Sequence, residues 1–250
     1  AINFAWMLML LPQGVFAQAI GTAAFPTFAE QAARGEQEAL QHTLSSTLRG
    51  VLFLTIPATV GLMAVGKPVV SILFERGAFG AASTHAVAST LTFFALGLLG
   101  HAGLEIVARA FYALHDTFTP VWVGSLTMAL NVLLSLTLPP VFASANWLPF
   151  GGLALANSVA TVVQFVLLLI LIRPRIDGIQ GRRMATTITK SGLSAVAMAL
   201  VLAGWTAALG DTDPLIHGGG GIVLGLATYL AVAALLRCEE LQTIANLIRR

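Results

Sequence analysis

Thr117–Ile172 reads TFTPVWVGSLTMALNVLLSLTLPPVFASANWLPFGGLALANSVATVVQFVLLLILI and contains no Asp, Glu, Lys or Arg. A bilayer core takes roughly 20 apolar residues per helix. The stretch is therefore long enough for two spans, with breaks expected at Pro139-Pro140 and at Asn146-Trp147-Leu148-Pro149. A soluble core has no use for so long an uncharged surface. The reading is a polytopic membrane helix bundle, all-α.

Working outward, the same pattern gives about seven spans in all. Span one is expected over Ile2 to Phe28, interrupted by Pro12 and Pro26. Span two runs from Gly50 to Val65 with Pro57 inside, and a separate short segment, Pro68 to Phe74, leads into the loop Glu75-Arg76-Gly77-Ala78-Phe79-Gly80. Span three covers Ser83 to Leu114, with Ser83 or Thr84 as the N-cap. Spans four and five are Pro120 to Leu138 and Phe150 to Ile172. Spans six and seven are Thr186 to Leu209 and Leu215 to Leu236, followed by an amphipathic tail, Glu239 to Arg250. Leu40, Leu44 and Leu48 recur every four residues and predict a one-faced helix lying against the membrane ahead of span two. Prolines inside spans are tolerated where neighbours re-satisfy the freed backbone groups.

Composition agrees: 57% of residues are hydrophobic and 10% charged, against about 25% charged in soluble domains. Mean hydropathy is +0.86. A net charge of +2 with basic residues at helix ends gives no footing for nucleic acid. The single Cys238 excludes an intrachain disulfide or a cysteine metal site and reads as a small interfacial residue. The chain starts at Ala1 and its first span runs straight in, so it is expected to be the C-terminal part of a longer transporter.

Seven spans put the ends on opposite sides, and loop charge chooses the sides. Lys67 and Arg76 lie in one set of loops, and the remaining eleven of the thirteen basic residues lie in the other. The expected orientation places the start of the chain outside and the C-terminus in the cytoplasm. Trp122 and Trp147 fit interfacial anchors.

Two short motifs fail on inspection. Gly66-Lys67-Pro68 resembles a phosphate loop but lacks the leading glycine, and Pro follows Lys. His217-Gly218-Gly219-Gly220-Gly221 has no G-x-S-x-G elbow to serve, so it reads as a flexible entry to span seven with close helix packing at Gly221 and Gly225. Polar side chains within spans are better leads, because they are costly at that depth. His101, Glu105 and Arg109 share one face of span three, with Glu105 before Arg109 in the favourable order. They form either a self-satisfied ion pair or the polar wall of a cavity. Asn131 and Ser135 on span four, and Asn157, Thr161 and Gln164 on span five, form interhelical hydrogen bonds or a small cation site. Asn3, Gln13 and Gln18 on span one face a passage or bond to neighbours.

Six segments then read together: Leu11-Pro12-Gln13-Gly14-Val15-Phe16, Ala24-Phe25-Pro26, Leu73-Phe74-Glu75-Arg76-Gly77-Ala78-Phe79, Ala108-Arg109-Ala110-Phe111-Tyr112-Ala113-Leu114, Asp116-Thr117-Phe118-Thr119-Pro120-Val121, and Gly152-Leu153-Ala154-Leu155-Ala156-Asn157-Ser158. In order and spacing they resemble the MurJ/MviN family of lipid II flippases, within the multidrug/oligosaccharidyl-lipid/polysaccharide exporter superfamily. The resemblance covers essentially the whole chain. It implies the second half of a fourteen-helix protein: residues 1–172 as the C-terminal lobe, and 173–250 as two additional helices with a cytoplasmic tail.

The resemblance further implies export of a polyprenyl-diphosphate-linked peptidoglycan precursor across the cytoplasmic membrane by alternating access. The headgroup cavity lies between lobes, and a groove at the last two helices takes the lipid tail. Substrate-cavity candidates are Asn3, Gln13, Gln18, His101, Glu105 and Arg109. A family arginine five residues before the Pro-x-Gly is Met7 here, and a span-three lysine of some members is Glu105. Some members carry a sodium site. Its positions correspond to Asn131, Ser135 in place of an Asp, the Leu153 carbonyl, and Asn157 in place of a hydroxyl residue. Loss of the carboxylate weakens cation binding. The expected protein is a transporter and not an enzyme. It has no cofactor beyond coupling to sodium or membrane potential. Its partners are the lipid-linked glycan, membrane lipids and the cell-wall synthesis machinery. The alternatives are an exporter of another lipid-linked glycan or a small molecule such as a drug-like cation, and a non-transporting membrane scaffold in cell-wall assembly.

Overall fold

The computed structural model describes residues 1–176, 178–209 and 214–241. They contain seven helices long and apolar enough to cross a membrane: span one (Ile2–Ala33), span two (Gln37–Phe74), span three (Ala81–Ala113), span four (Phe118–Ser144), span five (Pro149–Arg175), span six (Gly181–Leu209) and span seven (Pro214–Leu235). Most of the tail expected from Glu239 onward lies outside the described residues.

Span three is the centre of the bundle and packs on spans one, two and five. Gly97, Gly100 and Gly103 make the approach of span five possible. A Cβ at Gly97 would stand 2.8 Å from the Ser158 Cα, and one at Gly100 would stand 2.9 Å from the Val162 nitrogen. Small residues at such spacing let helix backbones meet where lipid supplies no hydrophobic drive. Ser158 adds a hydrogen bond across the seam, its hydroxyl donating to the Phe93 carbonyl at 2.7 Å.

Span two corrects the expected arrangement. It is one 38-residue helix from Gln37 to Phe74, with Pro57 and Pro68 inside it. At about 1.5 Å per residue it outruns a hydrocarbon core of about 30 Å. Leu40, Leu44 and Leu48 do not lie on lipid: they are fully buried in a cluster with Phe28, Ile106, Ile172 and Met184. The sequence stripe is the same, but it faces neighbouring helices. Spans six and seven pack on this long helix. A Cβ at Gly221 would stand 2.8 Å from a Val65 methyl. The His217 segment is part of span seven's helix, and its carbonyl accepts from the Trp205 indole at 3.2 Å.

Proline does not end span four either. The helix runs through Pro139-Pro140 to Ser144, and the turn comes at Asn146, with φ 58°. Span one likewise continues past Pro12 through a wider π-type turn, Gln13–Gln18, and past Pro26 to Ala33. The ends of spans three, four and seven share one closure. His115, Asn146 and Arg237 adopt left-handed conformations. The next residues return their N–H groups to Phe111, Phe142 and Ala233, satisfying carbonyls that a helix end leaves open.

The two most distinctive sequence motifs are turn clasps. In the loop after span two, the Glu75 carboxylate accepts from the Ser71 hydroxyl at 2.6 Å and the Thr84 hydroxyl at 2.9 Å, tying span two to span three. Thr84 therefore serves Glu75, and the N-cap of span three is Gly80 with no side-chain cap. Those two donors hold the Glu75 carboxyl below the usual carboxylate range. Phe79 folds back onto Phe74 and onto Phe4 of span one. At the other end, Asp116 accepts from the Thr119 backbone N–H at 3.0 Å and hydroxyl at 2.6 Å. It also pairs with Arg175, from the end of span five, whose guanidinium lies over the Phe111 ring.

Candidate functional site

His101, Glu105 and Arg109 share a face of span three, but the structure divides them between two neighbours. Arg109 pairs with Glu105 at 2.6 Å and donates to the Thr22 hydroxyl of span one at 3.2 Å. The guanidinium passes over Gly21, where any Cβ would collide with it. His101 turns toward span five: its Nε2 lies 3.1 Å from Asn157 Oδ1 and 3.3 Å from Thr161 Oγ1. The Trp6 ring of span one meets the imidazole edge-on at 5.4 Å between centroids.

Beyond those partners lies a cavity of about 350 Å³ between spans four and five. Thr127 and Asn131 line one wall, and Asn157, Thr161 and Gln164 the other. Asn131 and Asn157 thus face the same cavity from opposite walls. Ser135 and Leu153 are not among the lining residues. The Ser135 hydroxyl donates to Asn131 Oδ1 at 3.0 Å within span four, and Asn157 Oδ1 faces His101. Hard cations seek anionic oxygen, and neither span carries a carboxylate. With no carboxylate to add anionic oxygen to the two amide oxygens, these side chains do not fit a sodium site. Neutral donors and acceptors of this kind suit water or a polar group without charge.

Of the span-one candidates, Asn3 and Gln18 are exposed. Gln13 is buried at the π-type turn and its Oε1 has no hydrogen-bond partner among the described residues.

A second cavity, also about 350 Å³, is a groove bounded by spans one, two, six and seven. Its walls include Pro12, Phe16, Pro57, Leu62, Met198 and Leu226. Tyr229 is the one hydroxyl-bearing side chain among its lining residues, and that hydroxyl is committed to the Phe53 carbonyl at 2.7 Å. A wall with no free polar side chain accepts hydrocarbon and penalises a headgroup. Its residues come from four helices far apart in sequence, so periodicity along any one of them carries no sign of the groove.

At the basic end of span six, Arg182, Arg183 and Lys190 border a third cavity with Glu239 and Glu240. Glu240 is buried there, accepting from the Thr187 hydroxyl at 2.6 Å and lying 3.6 Å from the buried Arg49 of span two. Cys238 is buried beside them, and burial pushes its thiol up.

The family model described as lipid II flippase MurJ matches residues 1–212. A probable lipid II flippase MurJ of Rhizobium tropici is 31% identical over 93% of this chain and 43% of its own length. The counterpart from Thermotoga maritima is 28% identical over 97% of this chain and 47% of its own. The chain spans about half the length of the curated relatives it matches. A solved lipid II flippase MurJ in an inward closed conformation superposes with a TM-score of 0.74 at 22% identity, over 94% of this chain and 46% of that one.

Proposed function

We propose, because the chain belongs to the lipid II flippase MurJ family, that it supplies the C-terminal lobe and last two helices of a flippase exporting lipid II across the cytoplasmic membrane. The observation that carries this reading is the apolar groove between spans one, two, six and seven. A polyprenyl tail needs a dry, hydrocarbon-lined seat of this kind while its headgroup crosses elsewhere. Span one borders the groove at Pro12 and Phe16 and meets the Glu105–Arg109 pair at Thr22. A movement of this helix would therefore be felt at both places. The proposed orientation has the C-terminus in the cytoplasm, and the proposed driving force is the membrane potential.

The test is complementation. The full-length protein containing this chain should restore growth and surface-accessible lipid II in a flippase-depleted strain. Filling the groove by Gly61→Phe should lower that export by a large factor at normal expression. Absence of rescue by well-expressed wild type would sink the reading.

Met7 favours a second reading, another lipid-linked glycan. It is 59% exposed on span one, at the position where the resemblance places an arginine, so the face has one positive charge fewer for a diphosphate. Met7→Arg should improve lipid II export if lipid II is the cargo, and depress transport of a neutral or cationic one.

A further inference from the structure

We infer that His101 is a proton-binding site beside the cavity between spans four and five, and that its protonation loosens the grip of span three on span one. The inference rests on the transport reading only for what the proton drives.

Ionisable side chains inside a span are costly and tend to be functional. Histidine is the residue type whose ordinary charge change falls within the physiological pH range. Among the described residues, every hydrogen bond of its ring runs through Nε2, to Asn157 and Thr161. With Nε2–H donated to Asn157 Oδ1, Nδ1 keeps its lone pair and is the atom that accepts a proton. Asn157 and Thr161 both line the polar cavity, so the Nε2 edge of the imidazole stands one side chain away from it.

The charge of the protonated ring has one counterpart. Glu105 lies one helical turn along the same face and is paired with Arg109. An imidazolium draws on that carboxylate and weakens its hold on Arg109, which reaches across to Thr22 of span one. Among the described residues, the elements packed on span three bring no other charge to the ring. Spans four and five carry no ionisable side chain between Phe118 and Ile172. Span one faces the ring with Trp6, and its Glu30 is occupied by Arg34. On span two, Arg49 is committed to Glu239 and Glu240, Glu38 and His42 lie near its start, and Lys67 lies near its far end.

Trp6 supplies a direct readout, because an imidazolium quenches an indole in contact with it. The purified full-length protein is titrated from roughly pH 8 down to 5, and the Trp6 emission is taken as the difference from Trp6→Phe. The expected result is a single sigmoidal fall. His101→Gln, which retains a donor for Asn157, should abolish it. Asn157→Asp, which sets a carboxylate against the ring, should move the midpoint up by about one unit or more. A flat wild-type signal overturns the proton site, as does a fall that survives His101→Gln or a midpoint unmoved by Asn157→Asp. Reconstituted lipid II transport, measured in parallel, should change through the same midpoint in wild type and lose that dependence in His101→Gln. Transport that ignores the midpoint overturns the coupling. Titration of Trp6 with no transport at any pH leaves the proton site standing and sinks the flippase reading instead.

Discussion

Tyr229 of span seven donates its hydroxyl proton to the Phe53 carbonyl of span two at 2.7 Å, and that carbonyl is the one Pro57 leaves without a helical donor. An α-helix pairs each carbonyl with the N–H four residues on, and proline has none. Tyr229 is 1% exposed, buried against Phe53. The bond therefore repairs a defect in one helix with a side chain from another, and it fastens span seven to the lobe at the same point.

Tyr229→Phe should destabilise the protein by about 1–2 kcal/mol, because it orphans a carbonyl in hydrocarbon. Combining it with Pro57→Ala should recover most of that loss, since the alanine restores an N–H for Phe53. Thermal unfolding of the three variants in detergent checks this. If the double variant is no more stable than Tyr229→Phe, the two residues are not coupled through that carbonyl.

The ion pair on span three should be asymmetric. Arg109→Ala leaves Glu105 without its partner, at an expected cost of roughly 2.5–3.5 kcal/mol on insertion scales. Glu105→Gln should be milder, because Arg109 keeps Thr22 and a long stem with which to reach water. The double variant should be more stable than Arg109→Ala alone. Equal melting temperatures for those two would show that Glu105 does not depend on Arg109.

Asp116 holds three donors from two elements. Asp116→Ala should cost about 1–2 kcal/mol, from the lost cap and the partly exposed pair with Arg175. Asp116→Asn keeps an acceptor for Thr119 and should cost less than half as much. Similar losses from both would place the energy in the charge and not in the cap.

The clasp at Glu75 should give acid sensitivity of a definite sign. Ser71 and Thr84 depress its carboxyl in the folded state. Its stabilisation is therefore complete above the unfolded-state value of about 4.3 and is lost as pH falls through the lower folded value. Glu75→Gln should flatten that part of the stability curve below about pH 4.3. An unchanged acid limb would remove Glu75 from the account.

Single cysteines at Gly80 and Gln180 test the orientation, with Cys238 replaced. An impermeant thiol reagent on intact cells should label the position at Gly80 and spare that at Gln180. The reverse would invert the topology inferred from the basic loops.

The seven spans were legible in the sequence because uncharged runs of bilayer length have few other uses. Their ends were less so. Pro139-Pro140 reads as a break, yet span four passes through it. A proline removes donors without saying whether the backbone can do without them. The Leu40, Leu44 and Leu48 stripe shows that one face is apolar, and the face meets protein where lipid was expected. Glu105–Arg109 was visible from its four-residue spacing. The turn of His101 to Asn157 was not, because spacing along a helix does not name the neighbour across it. Gly97, Gly100 and Gly103 carried a readable signal, small residues every third position, for the seam where span five lies closest.

Asp116 and Arg175 stand 59 positions apart in the chain. During synthesis the first of them emerges long before the second. For that interval the turn after span three has its Thr119 hydrogen bonds and lacks its guanidinium. Arg175 arrives only when spans four and five have both been made, so the contact closes a ring around a finished hairpin. The Asp116–Arg175 contact thus joins the two ends of the hairpin at its base.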